Sequence, residues 1–133
     1  MDGVATDTHC LVWYLEESNL LSATALARLR SAVSAGAPIF VPTICIVEII
    51  YLTEKKRITA VARARLFHHF DEPACDLKLA PLDRQVAEMV ERVPRNQIPD
   101  MPDRIIAATA LALGVPLVTR DRRIRTSGIE TIW

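Results

Sequence analysis

Cysteine is scarce and unpaired in this chain. The three residues, Cys10, Cys45 and Cys75, are odd in number, widely separated and without a C-x-x-C pair or a neighbouring histidine set. That excludes a disulfide scaffold and a thiolate zinc site, and fits reduced, mostly buried thiols of a cytoplasmic protein. Net charge is also lacking: 16 basic residues balance 16 acidic ones. Nothing global therefore steers the molecule toward a polyanion, and such a partner must be held by a local basic patch or through a metal ion. Long apolar runs are missing as well. The longest uncharged stretch, Ile105 to Thr119, is too short to span a bilayer and contains Gly114 and Pro116. The start, Met1-Asp2-Gly3, shows no basic segment followed by a long apolar one, so no signal peptide is expected. No repeat, linker or low-complexity segment is visible.

What is present describes an ordinary globular chain. Its 133 residues are 50% hydrophobic and 24% charged, enough for one domain, residues 1–133, with a core that needs no disulfide or structural metal. Val4 to Thr6 reads as a first strand, followed by a helix from His9 to Glu17. A second helix is expected from Ala23 to Ala35, capped by Ser22 and stopped by Gly36. Ile39-Phe40-Val41, bracketed by prolines, reads as a buried strand. Thr43 would then cap a helix from Ile44 to Lys55, whose length outweighs its β-branched content. A further helix spans Ala60 to Phe70. Cys75 to Ala80 alternates with period two, with Cys75, Leu77 and Leu79 inward, as in a half-buried strand near a sheet edge. Asp83 caps the next helix, which Pro94 ends, and a polar loop leads to a helix from Pro102 to Leu113 closed by Gly114. Pro116–Thr119 and Ile129–Ile132 complete the strands. This alternation implies a three-layer α/β/α sandwich with a central, mostly parallel sheet.

Four isolated carboxylates punctuate these apolar elements: Asp7, Glu48, Asp103 and Asp121. Asp7 and Asp121 follow strands, whereas Glu48 and Asp103 lie in early helical turns, so all can reach the carboxyl edge of one sheet, where such folds bind ligands. Converging acids repel and raise one another's pKa unless a cation neutralises them. The set thus points to a hard-metal site of oxygen ligands. Each acid also has a purely local reading. Asp7, Asp103 and Asp100 suit helix caps, Glu48 could pair with a buried arginine, and Asp121 with its flanking Arg120 and Arg122. The cluster Arg120, Arg122, Arg123 and Arg125 is either a phosphate-binding patch or a solvated turn. Thr6, Thr8 and Thr119 could hydrogen-bond a phosphate or a metal-bound water, with local turn bonding favoured for Thr8. Arg104 could hold a phosphate or balance the acids.

Together, Val4-Ala5-Thr6-Asp7-Thr8, Val41-Pro42-Thr43 with Val47-Glu48-Ile49, Pro102-Asp103-Arg104 through Ala110, and Leu117 through Asp121 resemble the PIN domain family, in particular the VapC-type ribonuclease toxins. The resemblance covers essentially the whole chain. It implies that Asp7, Glu48, Asp103 and Asp121 form an acidic quartet holding one or two Mg²⁺ or Mn²⁺ ions for endonucleolytic hydrolysis of RNA phosphodiesters. Asp7 and Asp103 would be shared direct ligands, Asp121 would complete the site, and Glu48 would bind through water or orient the nucleophile. Thr119, Arg104, Arg120 and Arg122 are the candidates for substrate binding. The resemblance further implies a small cognate antitoxin that covers the acidic groove, and a homodimer. Trp13, Tyr14, Tyr51 and Leu52 offer apolar area for an interface or for the core.

Two other readings compete. A non-catalytic relative would use the same fold to bind RNA or protein, but has no need to gather four like charges. An aspartyl phosphoryl-transfer module would need an Asp near mid-chain and a late lysine, or an Asp-x-Asp pair. Asp7 is followed by Thr8 and His9.

Overall fold

The first strand of the chain becomes the middle of its sheet. The architecture comes from a computed structural model, which describes residues 3–133. The strands are β1 (Val4–Thr6), β2 (Ile39–Pro42), β3 (Leu77–Ala80), β4 (Leu117–Val118) and β5 (Thr131–Ile132). They pair in the order β3-β2-β1-β4-β5, and every pair is parallel. Ala5 lies opposite Phe40 on one side and Leu117 on the other. Consecutive residues point to opposite faces, and Val4, Ala5 and Thr6 are all buried, so both faces of β1 are covered. This is why the central strands read as continuous apolar runs rather than alternating ones.

The helices are α1 (Thr8–Leu15), α2 (Ala23–Ser34), α3 (Ile44–Glu54), α4 (Ala60–Asp71), α5 (Arg84–Met89), α6 (Met101–Leu113) and α7 (Arg122–Arg125). Those flanking the sheet complete the three-layer α/β/α sandwich. Helix α6 packs on β1 and β2 and against α3 and α5, and α2 packs on β2 and β5. In α6, Ile105 through Ala110 are buried without interruption, and the small Ala107, Ala108 and Ala110 let its backbone approach its neighbours closely. None of the helices of the described residues is long and apolar enough to cross a membrane.

Local chemistry sets the boundaries. Ser22 caps α2 by accepting from the Ala25 amide at 3.1 Å, and Thr59 and Asp83 cap α4 and α5 in the same way. Gly114 closes α6 in the left-handed region, at φ +67°, which a side chain would disfavour. The β-branched segment after Thr43 is helical, as its length implies. Thr43 itself makes no capping bond; its hydroxyl accepts from the Leu82 amide and ties down the turn after β3.

Three further expectations change. The strand foreseen from Cys75 begins only at Leu77, because the Leu77 amide turns back to the Cys75 sulfur at 3.4 Å. Leu79 is 45% exposed rather than inward. β3 is one edge of the sheet, where one flank has no neighbour among the described residues and alternation alone does not secure burial. The arginine cluster after Asp121 is not a plain turn but the short helix α7, anchored by the buried Ile124.

Candidate metal centre

The chain leaves β1 at Thr6 and starts α1 at once, with Asp7 at the junction. Asp7 Oδ1 accepts from the Cys10 amide at 2.9 Å, satisfying one of the free N–H groups at the helix start. Oδ2 accepts from the Thr119 hydroxyl at 2.5 Å. Thr119 follows β4, the neighbour of β1, so the pair sits where the sheet order departs in both directions from the first strand. Crevices of open parallel sheets form at such a switch point. The Thr119 oxygen also accepts from the Asp121 amide at 3.0 Å, and Asp121 Oδ1 caps α7 through the Ile124 amide at 3.1 Å. One buried hydroxyl therefore links two of the acids.

The other two arrive from helices. Glu48, on α3, accepts from the Thr8 hydroxyl at 2.5 Å, so Thr8 bridges to a distant helix instead of closing a local turn. Asp103 stands in the first turn of α6. Burial raises its carboxyl, and the charges of Asp121, Asp100, Glu48 and Asp7 add to that, bringing its pKa to about 7. Asp7, only 9% exposed, is also raised, by burial above all, against the pull of the Thr119 hydroxyl and the Cys10 amide. Burial likewise raises the thiols of Cys10 and Cys45, leaving them protonated and poor metal ligands.

Asp7, Glu48, Asp103 and Asp121 all line one cleft of about 510 Å³, together with Asp100, Thr8, His9, Trp13, Ile106, Arg120 and Arg122. The only lysine or arginine residues of this lining are Arg120 and Arg122, both exposed. Arg104, although next to Asp103, lies outside it. Its guanidinium donates to the carbonyls of Val90 at 2.9 Å and of Val93 at 2.8 and 3.1 Å, fastening the turn after α5 to α6. Thr119 is fully buried and committed to Asp7, so it positions a carboxylate rather than meeting a phosphate.

The cleft's anionic donors are all carboxylate oxygens, the chemistry of Mg²⁺ and Mn²⁺ rather than of softer metals. Among the described residues, no three His, Cys, Asp or Glu side chains come together as a ready-made chelate. Mg²⁺ does not require one, since it takes one or two carboxylates and keeps its waters. The donor set fits such an ion.

Sequence reading undervalued Asp100, which lines the cleft and makes no capping bond. It also missed the threonine clamps. Their signal was a hydroxyl within two residues of an acid at both strand exits, Thr6-Asp7-Thr8 and Thr119-Arg120-Asp121. Of the four apolar residues considered for an interface, Tyr51 is 58% exposed, while Trp13, Tyr14 and Leu52 are half-buried.

The profile of the PIN domain matches residues 4–128. The chain belongs to the PIN domain family. It is 30% identical, over 127 residues, to Ribonuclease VapC22 of Mycobacterium tuberculosis, covering 95% of this chain and 92% of that protein. Two solved structures share the fold of this chain. One is VapBC2 from Rickettsia felis bound to a DNA fragment from their promoter (TM-score 0.72, 15% identity, 97% of this chain and 96% of that one). The other is a toxin–antitoxin complex from Klebsiella pneumoniae (TM-score 0.67, 18% identity, 98% and 96%).

Proposed function

We propose that this PIN domain is a divalent-metal-dependent endoribonuclease, the toxin of a toxin–antitoxin pair, with Asp7, Glu48, Asp103 and Asp121 as its acidic quartet. The observation that carries the reading is the gathering of these acids in one cleft, where burial and neighbouring charge hold Asp103 half-protonated near neutrality. A purely binding surface has no use for that arrangement, which costs stability until a cation relieves it. The naming of a 30%-identical, full-length relative as a ribonuclease supports the same reading.

When bound, Mg²⁺ or Mn²⁺, as one ion or two, supplies an activated water and a counter-charge for the phosphoryl oxygens. The chain's own residues do the rest. Asp7 and Asp103 hold the cation, with Asp7 kept in one orientation by its two donors. Asp121 completes the set from the start of α7. Glu48, fixed by Thr8, orients the attacking water and takes its proton. Arg120 and Arg122 receive the RNA backbone at the rim, which the acids alone would repel. An antitoxin covering this groove and a second copy of the chain are the partners. Tyr51, Val47 and Met101, exposed beside Glu48 and Asp100, provide apolar surface for such a contact.

The test is cleavage of a mixed structured-RNA pool by the purified chain with Mg²⁺ or Mn²⁺, with EDTA and Asp7→Asn as controls. Cleavage lost in both controls is expected. Undiminished cleavage by pure, folded Asp103→Asn protein would remove that residue from the site.

A further inference from the structure

Besides the acids, the cleft has an aromatic wall. Trp13, on α1, is half-buried. The guanidinium carbon of Arg120 lies 4.6 Å from its ring centroid. His9 and Trp133 flank it, with centroids at 5.8 and 6.1 Å and tilted planes. Trp13 also borders a second cleft of about 360 Å³, lined among others by Tyr14, Leu26, Arg30 and His69. The indole thus forms the ridge shared by the acidic cleft and its neighbour. Packing explains the inner half of the ring, which rests on the core. It does not explain why a cation lies over an indole on the cleft wall.

We propose that Trp13 with Arg120 is a stacking platform for an unpaired base of single-stranded RNA, next to the phosphate that the acidic centre addresses. Base stacking needs a flat π-surface and tolerates any sequence; with Arg120 lying over the indole, the guanidinium plane carries the base and Trp13 backs it. The chemistry of the cleft also requires it. An acid-rich wall repels a polyanion, so binding has to come from the rim arginines and from contacts indifferent to charge. A base inside a duplex cannot reach the ridge, which makes the platform selective for loops and splayed ends. The proposal rests on the nuclease reading for its substrate class, but it is measured without catalysis.

The experiment is fluorescence anisotropy of a short fluorescein-labelled single-stranded oligoribonucleotide in EDTA, where no cleavage occurs. Four probes of the contact are compared: Trp13→Leu, Trp13→Phe, Arg120→Gln, and the wild-type protein with an abasic version of the oligomer. Expected are a loss of roughly tenfold to a hundredfold for Trp13→Leu, near-retention for Trp13→Phe, and a smaller loss for Arg120→Gln. The abasic oligomer should bind weakly and be indifferent to Trp13→Leu. Equal binding by wild type and Trp13→Leu, an abasic oligomer that binds as well as the intact one, or no binding of single strands by the wild type would each overturn the platform. If Trp13→Leu fails to fold, the Arg120→Gln and abasic arms still decide. Trp13-dependent binding in a protein that never cleaves with Mn²⁺ would sink the nuclease reading and leave the platform standing.

Discussion

Asp7 and Asp83 begin helices by the same device, yet only one of them enters the cleft. Each Oδ1 accepts an amide three residues on, at 2.9 Å in both cases. Asp83 is exposed, on the rim of the sheet edge. Asp7 is buried, its second oxygen is held by Thr119 from across the sheet, and its charge reaches Asp103. Capping explains both residues equally well and distinguishes neither. A carboxylate joins the acidic cleft through what its remaining oxygen meets, and that is decided by topology.

The sharpest way to break this comparison is to neutralise each acid at nearly constant volume. Asp7→Asn and Asp103→Asn should lower metal-dependent RNA cleavage by about a hundredfold or more, at least what losing a supporting group of a metal site costs. Asp83→Asn should leave single-turnover cleavage unchanged, since asparagine caps as well as aspartate. Equal losses at Asp7 and Asp83 would reduce both to stability effects.

Next comes the threonine that sets Asp7 apart. Thr119→Val keeps the shape of the side chain and removes the hydroxyl. Asp7 then loses a donor that favours its ionised form, and the Asp121 amide loses its acceptor. Mn²⁺ affinity, read by calorimetric titration, should fall roughly tenfold to a hundredfold. Unchanged affinity would make the clamp ornamental.

The acids should also reveal themselves through pH. Asp103 has a folded-state pKa of about 7, above its ordinary 3.8. Between those values the folded protein binds more protons than the unfolded one, so metal-free stability falls as pH rises through this window and levels off above it. In Asp103→Asn the decline should shrink, leaving the variant more stable than wild type above about pH 7 and the two closer together near pH 4. Thermal melts in EDTA across that range measure it. Metal affinity should run the other way, weakening below about pH 7 as protons compete for the carboxylate. The smallest effect belongs to the control helix. Asp83→Ala should cost about 1 kcal/mol in denaturant unfolding, with cleavage intact.

The sequence reading succeeded where local rules and burial agree. Ser22, Asp83 and Gly114 bound their helices as composition requires, and the uncharged stretch from Ile105 is the core helix it promised to be. That the four acids meet in one cleft was legible from their places as interruptions of apolar segments. Direction was not. Asp103 faces the cleft and Arg104 points away to the Val90 and Val93 carbonyls. Adjacent helical residues are turned 100° apart, and nothing local says which of them faces the neighbouring turn. The bonds from Thr8 to Glu48 and from Thr119 to Asp7 span 40 and 112 residues, beyond any spacing rule. Leu79 was misjudged because alternation describes a strand and not its cover.

The sheet order carries a consequence for how this molecule comes into being. β1 is made first, but its partner β4 is separated from it by most of the chain, and the Asp7–Thr119 bond closes the longest loop of the centre. A growing polypeptide can pair β1 with β2, and β2 with β3, as they emerge from the ribosome. It has no acidic cleft until Leu117 to Asp121 have been synthesised and docked. The acidic cleft is thus among the later parts of the fold to be completed, and for most of its own translation the chain has no place where the four acids can meet.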